Sequence, residues 1–239
     1  MREKMVNAPV RKLDALLFDK DGTLFDFHAT WSAWARAVIE DLAQGMPERR
    51  RALAREMAFD LEAGRFRRES PIIAGTNREA AECVVRALPG RDVTEIEELL
   101  KLHSANAPLA PAVPLAPLLG GFRAGGLRLG VVTNDSEYAA HAQLRTAGIA
   151  AHFEFVAGFD SGHGAKPSPG PLLAFCAAAG LQPARVAMVG DSTHDLIAGR
   201  AAGMARLAVL TGPAERADLA PHADAVLASI GEIPAWLSA

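Results

Sequence analysis

An α/β fold, with a parallel sheet, helices on both faces and an inserted α-helical domain, is predicted by three observations. A short apolar run at 13–18 ends in the acidic turn Asp19-Lys20-Asp21-Gly22-Thr23-Leu24. From residue 127 onward, apolar strand-like runs alternate with helical patterns, the pattern of parallel βα units. Between these two regions lies a long stretch with helix periodicity and no convincing strand.

The run 13–18 reads as a buried strand, and Gly22 permits the turn that ends it. The intervening stretch reads as helices over 31–42, 48–62, 78–88 and 94–103. Its return linker, 107–117, carries Pro108, Pro111, Pro114 and Pro117, a spacing that favours an extended, stiff connection. The predicted organisation is therefore a core domain of residues 1–25 and 114–239 and a helical insert of residues 26–113, with hinges near 25–28 and 107–114. Within the core, strands are expected at 127–132, 153–157, 186–189 and 207–210, with helices at 137–147, 171–179 and 195–202. A short strand and helix follow toward Trp236. Gly120, Gly121, Gly125 and Gly126 precede a strand, whereas a dinucleotide-binding fingerprint follows one, so turn and helix-end roles fit them better.

At 239 residues and 50% apolar, the chain can bury a full core. A formal charge of −3 with scattered basic residues gives no footprint for nucleic acid. Cys83 and Cys176 sit in apolar helical contexts and read as buried reduced thiols, which suits a reducing cytoplasm. Residues 1–12 lack the apolar region of an export signal, and Pro and Gly interrupt 108–122 before it reaches membrane-spanning length. No membrane partner is expected.

The first motif places Asp19 and Asp21 two positions apart at a strand end, where both can project into the crevice at the carboxyl edge of a sheet. An ordinary Asp-Gly turn is the plain alternative. A calcium loop fits worse, because its fifth and sixth positions would be Thr23 and Leu24 instead of Asp or Asn and Gly. Three further sites fall at or just beyond predicted strand ends. Thr133-Asn134 offers a hydroxyl and backbone amides to phosphate oxygens, or else begins the cap of the next helix. Lys166-Pro167 offers a point charge on a stiffened backbone, although a lone loop lysine is commonly just solvated. Gly190-Asp191-Ser192-Thr193-His194-Asp195 sets two carboxylates four apart around a turn, able to face one hard cation, with Asp191 as a helix N-cap the alternative.

Carboxylate pair, hydroxyl, lysine and carboxylate pair, in that order and all at strand ends, resemble the haloacid dehalogenase-like hydrolase superfamily. The resemblance covers residues 13–24 and 127–203 and extends to the insert, which looks like that superfamily's small cap; within it, the closest likeness is to phosphoglycolate phosphatases. It implies a Rossmann-like core and a magnesium-dependent phosphatase. It implies Asp19 as nucleophile and Asp21 as general acid/base, with Thr133 and Asn134 holding phosphoryl oxygens and Lys166 neutralising charge. Asp191 would bind Mg2+ with Asp19 and the Asp21 carbonyl, and Asp195 would support the metal's water or orient Lys166.

Electrostatics reach a compatible picture. A phosphate dianion among carboxylates meets about 4 kcal/mol of repulsion per unit charge pair at ~4 Å and an effective dielectric of ~20. Magnesium and Lys166 offset that repulsion, and a protonated Asp21 can donate to the leaving alkoxide. The expected substrate is a small phosphorylated metabolite, phosphoglycolate among the candidates, and the expected assembly is a monomer or homodimer. A phosphosugar mutase of the same superfamily and a non-catalytic phospho-acceptor module are the alternatives. Dehalogenases of the superfamily lack the second carboxylate that Asp21 supplies, and phosphonate hydrolases need a cap lysine, for which only the late Lys101 is present. Arg65, Arg67 and Arg68 in the insert can meet a substrate anion or form a solvated face, His28 can line the entrance, and 70–77 reads as a loop over the site.

Overall fold

The computed structural model describes residues 13–238, so the readings made above for 1–12 and for Ala239 lie outside the described residues. β1 (Ala15–Phe18) is wholly buried because both of its faces are covered. Leu16 and Phe18 enter one apolar cluster, with Leu119 and Phe122, while Ala15 and Leu17 enter another, with Leu172 and Phe175. Apolar side chains at every position are what a strand sandwiched between two helix layers requires.

The chain then leaves the sheet for a helical insert: α1 (Phe27–Ala43), α2 (Pro47–Glu56), the short strands β2 (Phe59–Asp60) and β3 (Arg65–Phe66), α3 (Asn77–Arg86) and α4 (Val93–Ala105). Asp26 caps α1 by accepting from the Ala29 N–H at 2.8 Å, and Thr76 and Glu79 form a reciprocal capping box at the start of α3. Buried residues between Phe27 and Ala107 form a cluster of their own, including Trp31, Trp34, Val38, Ile39, Ile96 and Leu100. The chain passes between sheet and insert in two antiparallel crossings bound side by side. The Asp26 N–H donates to the Ala110 carbonyl (2.8 Å), the Ala112 N–H donates to the Leu24 carbonyl (2.9 Å), and Phe25 bridges Pro111.

The remaining elements are α5 (Leu115–Ala124), β4 (Arg128–Val132), α6 (Glu137–Thr146), β5 (Phe155–Ala157), α7 (Gly170–Ala179), β6 (Val186–Gly190), α8 (Thr193–Ala202), β7 (Ala205–Val209), α9 (Arg216–Leu219), β8 (Ala225–Leu227) and α10 (Ile233–Leu237). Among the described residues, six strands form one parallel sheet in the order β5-β4-β1-β6-β7-β8. Helices cover both faces, which makes this the predicted α/β architecture. Phe18 stands opposite Val131 and Val189, so β1, β4 and β6 end nearly level. The loops after them start side by side, where the strand order reverses and open α/β sheets bind ligands. No helix among the described residues is long and apolar enough to cross a membrane.

Three elements differ from expectation. The linker expected to run extended over 107–117 gives way to α5 at Leu115. Pro117 lies in the first turn of that helix, where an absent N–H costs nothing, and Leu115, Leu119 and Phe122 bury one face despite Gly120 and Gly121. The helix expected over 48–62 stops at Glu56, and a β2–β3 hairpin follows in a region expected to hold no strand. Ala58 there has φ +48°, and the Asp60 carboxylate accepts from the N–H groups of Glu62 and Ala63, a side-chain turn that competes with helix.

Candidate active site

Asp19 is the first residue past β1, and its N–H continues the ladder to the Val189 carbonyl at 2.8 Å. The chain then turns sharply, with Leu24 N–H on the Lys20 carbonyl (2.9 Å) and Gly22 N–H on the Phe25 carbonyl (2.7 Å). Gly22 has φ +81°, and a Cβ there would overlap the Asp191 carboxylate. Glycine thus serves both the turn and the approach of Asp191.

Asp191 follows β6 and is buried. Ser192, not Asp191, caps α8: its hydroxyl exchanges hydrogen bonds with Asp195, whose Oδ2 accepts from the Ser192 N–H (3.0 Å) and hydroxyl (2.7 Å). Asp191 is thereby left to face the crevice, within reach of the Thr23 hydroxyl at 3.4 Å. On its other side a Cβ on Gly212 would overlap the same carboxylate, and Thr211 donates to the Gly22 carbonyl at 2.6 Å. Neither Thr211 nor Gly212 stood out in the sequence; both lie just beyond the β7 end, which is the signal that marks them.

Lys166 is 5% exposed and donates to Asp19 Oδ1 and Asp195 Oδ1, each at 2.6 Å. Oxygens of Asp19, Asp191 and Asp195 lie within 4.8 Å of one another. Burial, reinforced by repulsion from Asp195 and Asp21 and opposed by Lys166, pushes the Asp19 carboxyl up to about 7. Burial, with the Asp19 and Asp195 charges beside it, likewise holds Asp191 well above the usual carboxylate range. For Lys166 burial disfavours the charge, but Asp19 and Asp195 outweigh it and keep the ammonium protonated beyond ordinary lysine. Carboxylates driven toward neutrality with oxygen donors only are a site short of positive charge, a set fitted to a hard divalent cation. The three aspartates can hold a metal ion. Asp195 already gives both oxygens to Lys166 and Ser192, which leaves Asp19 and Asp191 as the freer pair.

Thr133, at the β4 end, is buried; its hydroxyl accepts from the Asp135 N–H at 3.1 Å and keeps its own proton to donate. The Asn134 side chain is engaged within the protein. Its Nδ2 donates to the carbonyls of Lys166 (2.9 Å) and Ala74 (3.0 Å), and its Oδ1 accepts from the Lys166 N–H (2.9 Å). The carboxamide therefore ties the lysine loop to the insert. His194 Nδ1 meets the same Ala74 carbonyl at 3.1 Å, so segment 72–77 lies directly over the cavity next to Asp19.

The Asp21 carboxylate lines the cavity but is ion-paired with Lys20, whose Nζ lies 2.9 Å from Oδ1. The same ammonium contacts Asp135 at 3.2 Å and the Gln143 carboxamide oxygen, and lies 5.5 Å from the Trp31 ring centre. Gln143 in turn donates to the Ser104 carbonyl of α4 at 2.6 Å. Burial weakens the Lys20 charge, but Asp21 and Asp135 prevail and raise its pKa above the ordinary lysine value. This buried cluster was not read from the sequence. His28 is exposed and does not line the cavity. Arg68 pairs across to Glu215 (2.8 Å) and Asp218 (2.9 Å) near α9, away from the cavity.

Comparison with known proteins agrees with this geometry. Residues 13–203 match the family model of haloacid dehalogenase-like hydrolases. A phosphoglycolate phosphatase of Chromobacterium violaceum is 43% identical over 115 residues, 48% of this chain and 51% of that protein, so that match spans about half of the relative's length. A plasmid phosphoglycolate phosphatase of Cupriavidus necator is 31% identical over 230 residues, 94% of this chain and 93% of that protein. In fold, CbbY from Rhodobacter sphaeroides, solved in complex with phosphate, superposes with a TM-score of 0.70 at 23% identity, over 95% of this chain and 100% of that one. With a family model spanning most of the described residues and a phosphatase relative aligned along nearly the whole length, the chain belongs to the haloacid dehalogenase-like hydrolase family and is a phosphomonoester hydrolase.

Proposed function

We propose that this is a magnesium-dependent phosphatase acting on small phosphomonoesters through an aspartyl-phosphate on Asp19, with residues 26–113 serving as its cap. The observation that carries this reading is the single ammonium of Lys166 held at 2.6 Å from both Asp19 and Asp195 in the crevice at the strand ends.

Asp19 attacks phosphorus in line, the ester oxygen departs, and Asp21 gives that oxygen a proton. Water then attacks the aspartyl-phosphate, with the Asp21 carboxylate taking its proton and Asp19 leaving as carboxylate. Thr133 donates to a phosphoryl oxygen, and Lys166 neutralises charge on the transferring group while holding Asp19 in place. Asn134 acts one step back, by fixing the Lys166 backbone. Asp19, Asp191 and the Asp21 carbonyl are the groups that would hold magnesium, which when bound supplies two positive charges to a cluster where, among the described residues, Asp19, Asp21, Asp135, Asp191 and Asp195 are met by Lys20 and Lys166. The insert excludes water from the first step through the Ala74 segment.

The relatives' names make 2-phosphoglycolate the first natural ester to assay. Purified protein with magnesium should release free phosphate from p-nitrophenyl phosphate, and should stop turning over with a chelator or on Asp19→Asn. Sustained turnover by Asp19→Asn would remove Asp19 from the nucleophile's role.

A further inference from the structure

The cavity beside Asp19 has two differently built ends. The sheet end carries its charged side chains, Asp19, Asp21, Asp135, Lys166 and Asp191, together with His194. Among the described residues, the wall contributed by the insert carries none and is built from groups such as Phe27, Trp31, Trp34, Ile72 and Ile73. Trp31 and Trp34 are 7% and 3% exposed, with rings 5.0 Å apart and steeply inclined at 75°. The indole Nε1 of each is buried without a hydrogen-bond partner. Both rings line the cavity, and two unpartnered donors beside it are unusual, because buried polar groups are nearly always paired. Other polar groups on this wall are occupied: Asn77 Nδ2 donates to the Glu97 carbonyl at 3.0 Å, and the Thr76 hydroxyl serves its capping box. Lys20 lies near the Trp31 ring, but it is engaged by Asp21, Asp135 and Gln143.

We propose that this wall selects phosphomonoesters whose alcohol is neutral and carries hydrogen-bond acceptors on an apolar frame, a polyol or sugar-like alcohol, with Trp31 and Trp34 donating to it. The proposal rests on the phosphatase reading above and narrows its substrate class. A second anion on the alcohol, such as a carboxylate, would be stripped of water against aromatic and aliphatic surface with no free cation to meet it. A hydroxyl gives up far less hydration, accepts from an indole N–H, and lets C–H groups rest on the rings.

The test compares kcat/KM, with magnesium, for glycerol 1-phosphate, 2-phosphoglycolate and ethyl phosphate, which lacks the distal acceptor. Glycerol 1-phosphate should exceed 2-phosphoglycolate by about tenfold, the worth of one good hydrogen bond. Trp31→Phe and Trp34→Phe keep the ring and lose the donor; at least one should lower the ratio of glycerol 1-phosphate to ethyl phosphate by about tenfold. A preference for 2-phosphoglycolate, or a ratio unmoved in both variants, overturns the proposal. Calorimetric titration of the Asp19→Asn protein with glycerol 1-phosphate and 2-phosphoglycolate gives the same order without turnover. Tighter binding of 2-phosphoglycolate also overturns the proposal, whereas tighter binding of glycerol 1-phosphate by a wild type that hydrolyses no ester upholds it and removes the phosphatase reading instead.

Discussion

The ammonium of Lys20 lies 2.9 Å from Oδ1 of Asp21, the residue that follows it, and has no exposure to solvent. Successive residues point to opposite sides, so Lys20 passes beneath the turn while Asp19 and Asp21 enter the crevice, and it reaches Asp21 from below. Replacing it leaves the buried Asp135 and the partly buried Asp21 without a counter-charge. Lys20→Met should lower the unfolding free energy by about 3 kcal/mol, as expected for breaking a buried ion pair from one side. Urea denaturation reads this directly, and a change no larger than that of an exposed lysine would show that the cluster is satisfied without it.

Lys166→Met should reduce kcat on p-nitrophenyl phosphate by about a hundredfold to a thousandfold, the usual cost of losing a donor to transition-state charge. Lys166→Arg should not restore the rate. Two carboxylate oxygens at 2.6 Å from one nitrogen seat a compact ammonium, and a planar fork cannot put one atom between them. Recovery by arginine would mean that only charge matters there.

Asp19, lifted to about 7 chiefly by burial, binds its proton more tightly in the folded chain than in the unfolded one, where it titrates near 3.8. Asp191 shifts in the same direction for the same reason. Their contribution to stability is therefore complete below the unfolded value and is lost as pH rises through the folded one. Without metal, the melting temperature should fall between about pH 4 and about pH 7. Magnesium competes with protons for the same oxygens, so the melting shift it produces should grow across that window. Thermal scans in chelator and in magnesium decide the point, and a shift that shrinks with rising pH would contradict it.

Gly212→Ala should weaken magnesium binding while leaving the fold intact, because the added methyl claims space now filled by the Asp191 carboxylate. The magnesium concentration giving half-maximal turnover should rise about tenfold or more, a range typical for displaced support around a metal ligand. An unchanged magnesium requirement would show that Asp191 can shift without consequence.

What the sequence made legible were the groups that follow a simple local rule. Asp19 and Asp191 could be read because each follows a short apolar run and stands next to a glycine turn, so the strand end that carries them is visible in a few residues. Lys166 was found through the order of motifs, although its partners lie 147 and 29 residues away. Lys20 was missed because a lysine between two aspartates looks solvated, while the groups that bury it, Asp135 and Gln143, are 115 and 123 residues distant. The partners of the Asn134 carboxamide were hidden for a related reason, since Lys166 and Ala74 lie 32 and 60 residues away. Trp31 and Trp34 fell within the helix expected over 31–42, and periodicity does not report which buried donor lacks a partner. The helix at 115–124 was hidden by Pro117 and two glycines, whose unfavourable propensities are overridden by packing against the sheet.

The paired crossings at Leu24–Asp26 and Ala110–Ala112 behave as a hinge plate, not as two loose tethers. Because the outgoing and returning segments are stitched by backbone hydrogen bonds, neither can slide lengthwise without the other, and twisting about the ribbon's long axis would break both bonds. Any swing of the insert about these crossings would carry Trp31, Trp34 and the Ala74 segment together, and would have to part the Asn134, His194 and Gln143 bonds that tie it to the sheet domain.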